Sequence, residues 1–172
     1  MAAAAFSLLF TLGVIGCGSP NVPDSPAPAV SPVSPAAERS APSPPSYDLS
    51  ADEASGGHTL ARHVGKTDNE LRARLRRERE ISSASTYTDR ATAEAVVGAA
   101  LSSPPRSFEA WRNRVGGRPN YVLHFAAHRA IGRSIGRRRF EATTCEDALV
   151  VLRWDARRER FFVLTSYPEE RD

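Results

Sequence analysis

The chain has 172 residues with 23 basic and 20 acidic side chains, 13 prolines and two cysteines. That length holds at most one domain of ordinary size, and two cysteines exclude a disulfide-dense scaffold. From Ala51 onward lie 22 of the basic and 17 of the acidic groups, a surplus of five, and Lys66 is the only lysine. Arginine in such excess suits bidentate contact with phosphates and favours polyanionic partners, although a GC-rich genome that writes Arg for Lys explains the bias equally well.

Residues 1–17 begin with an apolar run too short to span a bilayer and placed where a secretory signal belongs. Val14-Ile15-Gly16-Cys17 resembles the lipobox of bacterial lipoproteins, which implies cleavage before Cys17 and acylation of its thiol, although no Lys or Arg precedes the run. A plain signal peptide is the alternative. Gly18 in place of Asp, again by resemblance, favours an outer membrane. With Cys17 lipidated, Cys145 has no partner within the chain, so neither an internal disulfide nor a disulfide-linked oligomer is expected.

Residues 18–47 contain nine prolines and seven serines and almost no large apolar side chain. Such a stretch buries too little surface to offset its ordering entropy, and its prolines stiffen it into an extended tether. At roughly 3 Å per residue it would hold the following domain on the order of 90 Å from an anchor. Residues 48–172 are the foldable part.

There, Gly56-Gly57 opens a short helical segment with Leu60 and Val64 on one face, and Gly65 ends it as a C-cap would. Thr67-Asp68-Asn69-Glu70 matches a capping box and starts a second helix, with Leu71 and Leu75 inward and Arg72, Arg76 and Arg79 outward. His63 sits at the C-terminal end of the first of these helices. The dipole there raises an imidazole pKa unless burial opposes it.

Ile81 to Tyr87 reads as a loop or short strand, and Asp89 as the N-cap of a helix whose core face is Ala93, Val96, Val97, Ala100 and Leu101. Ser103-Pro104 ends it. A further helix is expected to align Phe108, Trp111 and Val115 before Gly116-Gly117. The period then changes to two: strands are expected over 120–126, weakly over 131–135, and over 148–154 and 160–167, the last two joined as a hairpin. Helices first and antiparallel strands second indicate an α+β domain.

Four fragments occur in order: Gly56-Gly57-His58-Thr59-Leu60-Ala61-Arg62-His63-Val64-Gly65-Lys66, Leu71-x-x-Arg74-Leu75, Ser85-Thr86-Tyr87-Thr88-Asp89-Arg90-Ala91-Thr92-Ala93 and Leu164-Thr165-Ser166-Tyr167-Pro168. On these the chain resembles the ribonuclease A-like toxin domains at the C-termini of contact-dependent inhibition proteins. The resemblance implies a ribonuclease A-like fold without disulfides, acting on RNA with no metal or other cofactor. By motif position the family's catalytic histidine falls on His63 and its arginine on Arg74, and its threonine and tyrosine fall on Thr165 and Tyr167. The basic loop from Arg133 to Arg139 and Pro104-Pro105 match no part of that pattern.

Metal-free RNA cleavage needs a base for the ribose 2′-hydroxyl, an acid for the departing 5′-oxygen, and donors on the phosphoryl oxygens. His63 is the candidate base. Arg74 either clamps the phosphoryl oxygens or pairs with Glu70 one turn earlier on the surface. Thr165 and Tyr167, two apart on a strand, share a face and either contact phosphate or a base edge, relay a proton, or simply meet water. His58 competes with His63, completes an acid/base pair or caps the helix. Lys66, Arg137 and Arg138 are candidate contacts to RNA, or ordinary solvated charges. His124 and His128, if both extended, stand about 13 Å apart, too far to share a zinc ion.

The sequence therefore points to an exported, outer-membrane lipoprotein toxin whose C-terminal ribonuclease acts in a competitor's cytoplasm and is restrained by a cognate immunity protein. A non-enzymatic envelope lipoprotein with a basic domain that binds a polyanion or a protein is the alternative.

Overall fold

A computed structural model describes residues 47–139 and 141–170. Cys17, the signal-like stretch and the tether lie outside the described residues, apart from Tyr47. No helix among the described residues is long and apolar enough to cross a membrane.

The helices are α1 (Leu49–Glu53), α2 (Thr59–His63), α3 (Asp68–Arg77), α4 (Arg90–Ser102) and α5 (Arg106–Arg112). The strands are β1 (Ser83–Tyr87), β2 (Tyr121–Ala126), β3 (Gly132–Gly136), β4 (Thr143–Cys145), β5 (Asp147–Asp155) and β6 (Arg160–Glu169). They form two three-stranded antiparallel sheets, ordered β1-β3-β4 and β2-β5-β6. Helices followed by antiparallel sheets make this an α+β domain, as expected. Cys145 is buried and free.

Local signals explain most boundaries. The Thr67–Glu70 capping box is formed in both directions at the start of α3, and the Asp89 carboxylate accepts from Thr92 N at the start of α4. Gly65 takes a positive φ of 64°, the left-handed conformation that stops α2. Leu71 and Leu75 pack on Ala84 and Ile135 in a small core, while Val96, Val97, Phe108, Trp111 and the inward residues of β2, β5 and β6 make the main one.

Two expectations fail. The helix through Phe108 and Trp111 ends at Arg112, and Val115 is 96% exposed, because the chain turns into the Gly116-Gly117 loop before another turn can form. His128 lies beyond β2 at a φ of 53°, so the extended spacing assumed for the histidine pair does not apply. The short elements α1 and β4 carry too few residues to show a period and were not anticipated.

What positions the site is a strap. The segment 52–59 runs along β6: Val163 N donates to Asp52 Oδ1 (3.1 Å), His58 N to Leu164 O (2.9 Å), and Ser166 N to Thr59 Oγ1 (2.8 Å). Gly57 permits the approach, since a Cβ there would stand 2.6 Å from Val163 O. At its other end the strap crosses to β1, where Val64 bridges to Tyr87 and Lys66 N donates to Thr86 Oγ1 (2.9 Å). The one-turn helix α2 thus spans from one sheet to the other.

Candidate active site

His63, the last residue of α2, is therefore held between the sheets and is 6% exposed. Its Nδ1 lies 3.3 Å from the Ser85 carbonyl of β1. A carbonyl can only accept, so Nδ1 carries the proton and Nε2 is left with a free lone pair. The ring packs against Tyr167 of β6, with centroids 5.2 Å apart. Burial, then the charge of Arg74, pushes its pKa down to about 3. The upward drift expected from the helix terminus does not occur: α2 is a single turn, and desolvation of the cation outweighs its small dipole.

His58, Arg74, Thr165 and Tyr167 join His63 on the wall of one cleft of about 680 Å³. Arg74 reaches it from α3 with its side chain 17% exposed. Its Nε donates to Glu78 Oε2 at 3.0 Å, one turn later, and not to Glu70, which the capping box occupies. The terminal nitrogens of Arg74 have no partner among the described residues. Thr165 Oγ1 is buried with no hydrogen-bond partner, whereas Ser166, on the opposite face of β6, bonds the Tyr87 hydroxyl inside the core at 2.6 Å. Burial, then Glu169, raises the Tyr167 pKa, so the phenol keeps its proton at neutral pH. Burial, then Arg62, lowers that of His58, which makes no capping bond to α2.

The remaining candidates lie elsewhere. Lys66 lines a separate groove with Arg62, Arg77 and the outer side of Arg74. Arg137 donates to the carbonyl oxygens of Glu78 and Ile81, so it braces the loop before β1, while Arg138 stands exposed in a shallow groove beside the cleft. Sequence reasoning missed the rest of the cleft wall: Ser83 and Ser85 of β1, Ser134 of β3, and the carboxylates Glu80, Glu169 and Glu170. Only the register of β1 against β3 brings these together. Among the described residues no group of three or more His, Cys, Asp or Glu is placed to hold a metal ion.

In chemical terms, one end of the cleft offers an unprotonated imidazole nitrogen, a guanidinium with free donors, an orphaned hydroxyl and a protonated phenol. These suit an oxyanion that is approached by one proton acceptor and left by one proton donor. The family model described as the bacterial CdiA-CT RNase A domain matches residues 57–168. Among solved structures, the chain is similar to one in the crystal structure of the CdiA-CT/CdiI complex from Y. kristensenii 33638, at 29% identity and a TM-score of 0.59, covering 66% of this chain and 100% of that one. No curated protein matches.

Proposed function

Because the chain belongs to the family of bacterial CdiA-CT RNase A domains, we propose that it is an interbacterial toxin that cleaves RNA without a metal ion. His63 Nε2 takes the proton of a ribose 2′-hydroxyl, whose oxygen attacks the adjacent phosphorus. The bond from phosphorus to the 5′-oxygen breaks, Tyr167 supplies the proton that oxygen needs, and a 2′,3′-cyclic phosphate and a free 5′-hydroxyl result. Arg74 and the Thr165 hydroxyl stabilise the charge gained by the phosphoryl oxygens. His58 lies against the same phosphate. DNA, lacking the 2′-hydroxyl, does not react.

The observation that carries this reading is the pairing of an imidazole whose Nδ1 is bonded to Ser85 O with an orphaned Thr165 hydroxyl in the same cleft. An Nε2 lone pair is the base the reaction requires. Bound phosphate would also neutralise Arg74 and thereby raise the His63 pKa toward a more effective range.

The lipobox-like Cys17 and the proline-rich stretch suggest that residues 48–172 are carried on a lipid anchor and tether before delivery to a neighbouring cell. A cognate immunity protein then protects the producer, with an acidic face against this basic domain. The test is induced cytoplasmic expression of residues 48–172, followed by growth and total RNA, beside His63→Ala and Arg74→Ala. Purified wild type is expected to degrade RNA in excess chelator and both folded variants to fail. Intact RNA with folded wild-type protein would instead favour a non-enzymatic polyanion-binding domain.

A further inference from the structure

The face of β1 and β3 turned toward the cleft carries Ser83 and Ser85 opposite Gly136 and Ser134, with Ser85 and Ser134 directly paired across the strands. Both of these serines are almost wholly buried, at 5% and 2% exposure. Neither side chain has a hydrogen-bond partner among the described residues, and both line the cleft. Thr143 of β4 continues the row beside Ser134, but its hydroxyl already accepts from Arg139. Two adjacent buried hydroxyls left unpaired are costly unless something fills the cleft and bonds them.

Charge decides what that is. Arg74 lies at the His63 end of the cleft, whereas Glu80, Glu169 and Glu170 line it at the serine end. Glu169 is paired with His124 and Glu170 with Arg139, and the Glu80 side chain has no partner among the described residues. Phosphate is repelled from that end, so the uncharged part of the nucleotide goes there. His63 Nδ1 bonds to the carbonyl of Ser85 itself. The nucleotide whose 2′-hydroxyl meets His63 therefore has its base over the serines.

We infer that Ser85 and Ser134 form the floor of a nucleobase subsite for the nucleotide on the 5′ side of the cleaved bond, and that Glu80 makes it favour bases bearing an amino group over uracil. The hydroxyls either donate or accept and so engage any base edge. A carboxylate only accepts: it takes the proton of an exocyclic amino group, while the carbonyl oxygens of uracil face it unfavourably. This rests on the ribonuclease reading and adds a substrate preference to it.

The test is cleavage of the dinucleoside phosphates CpA and UpA by the purified protein, wild type and the variants Ser85→Ala, Ser134→Ala and Glu80→Gln. The wild type is expected to favour CpA in kcat/KM by at least tenfold. Each serine variant is expected to lose about tenfold on CpA, the size of one hydrogen bond to a substrate. Glu80→Gln is expected to bring the two substrates within threefold. Binding of cytidine and uridine 3′-monophosphates to the wild type gives a second measurement independent of variant folding, with the cytidine nucleotide the tighter. Equal cleavage and equal binding of the two by the wild type, or folded serine variants with unchanged rates, would overturn the subsite. Failure of the wild type to cleave either substrate would instead remove the ribonuclease reading on which it stands.

Discussion

The imidazole of His63 and the phenol of Tyr167 lie 5.2 Å apart between ring centroids and inclined by 30°, one at the end of α2 and the other near the end of β6. Contact between an unprotonated imidazole and a protonated phenol sets a proton acceptor beside a proton donor. Substitution can separate the ring from the hydroxyl. Tyr167→Phe keeps the packing against His63 and removes only the proton. If Tyr167 protonates the leaving oxygen, kcat should fall by about 10²- to 10⁴-fold with little change in KM or thermal stability, since one general acid contributes that much. A fall of less than tenfold in steady-state assays would restrict Tyr167 to packing.

The depressed pKa of His63 predicts a stability profile of definite sign. Between its ordinary value of 6.5 and about 3, the unfolded chain binds a proton at this residue that the folded chain does not. Stability therefore rises with pH across that window and is lost as pH falls through it. In urea titrations from pH 7 to pH 4, His63→Gln should show a shallower loss than the wild type. For the same reason kcat/KM on RNA should hold well below pH 6.5, since the free protein keeps the imidazole neutral there. An acid limb near pH 6.5 would contradict this environment for His63.

Thr165→Val separates function from stability in the opposite sense to most buried substitutions. The hydroxyl has no partner to lose, so replacing it with a methyl group should leave the urea midpoint unchanged or raise it. Loss of its bond to a phosphoryl oxygen should nevertheless lower kcat/KM by about 10- to 100-fold, the range for a hydrogen bond to a charged group. Destabilisation by Thr165→Val would show that the hydroxyl is satisfied within the protein.

Gly132 is where β1, β3 and β6 meet most closely. A Cβ there would stand 2.2 Å from Thr86 O and 2.8 Å from Pro168 Cγ, so backbone must move. Gly132→Ala should destabilise by about 1–3 kcal/mol or more, as overpacking does. Ser166→Ala should cost about 1–3 kcal/mol for a different reason, since it strands the Tyr87 hydroxyl in the core. Chemical denaturation distinguishes both from Val115→Ser, which should change nothing because Val115 is exposed.

The amino-acid sequence by itself determined where the longer elements begin and how they face. Capping boxes, apolar spacing and alternation are local signals, and the Thr67–Glu70 box, the core face of α4 and the β5–β6 hairpin all follow from them. The placement of Thr165 and Tyr167 on one face of β6, with Ser166 on the other, was equally legible, because strand alternation depends on nothing remote. Tertiary structure alone decided the environment of these groups. His63 is neutral because α2 is strapped between two sheets by bonds to residues about 20 and 100 positions away, and burial there defeats the helix dipole. Arg74 chose Glu78 because a local cap had already taken Glu70. Ser85 and Ser134, unremarkable in the chain, became a buried pair of free hydroxyls only through the register of β1 on β3, a long-range relation that no local pattern encodes.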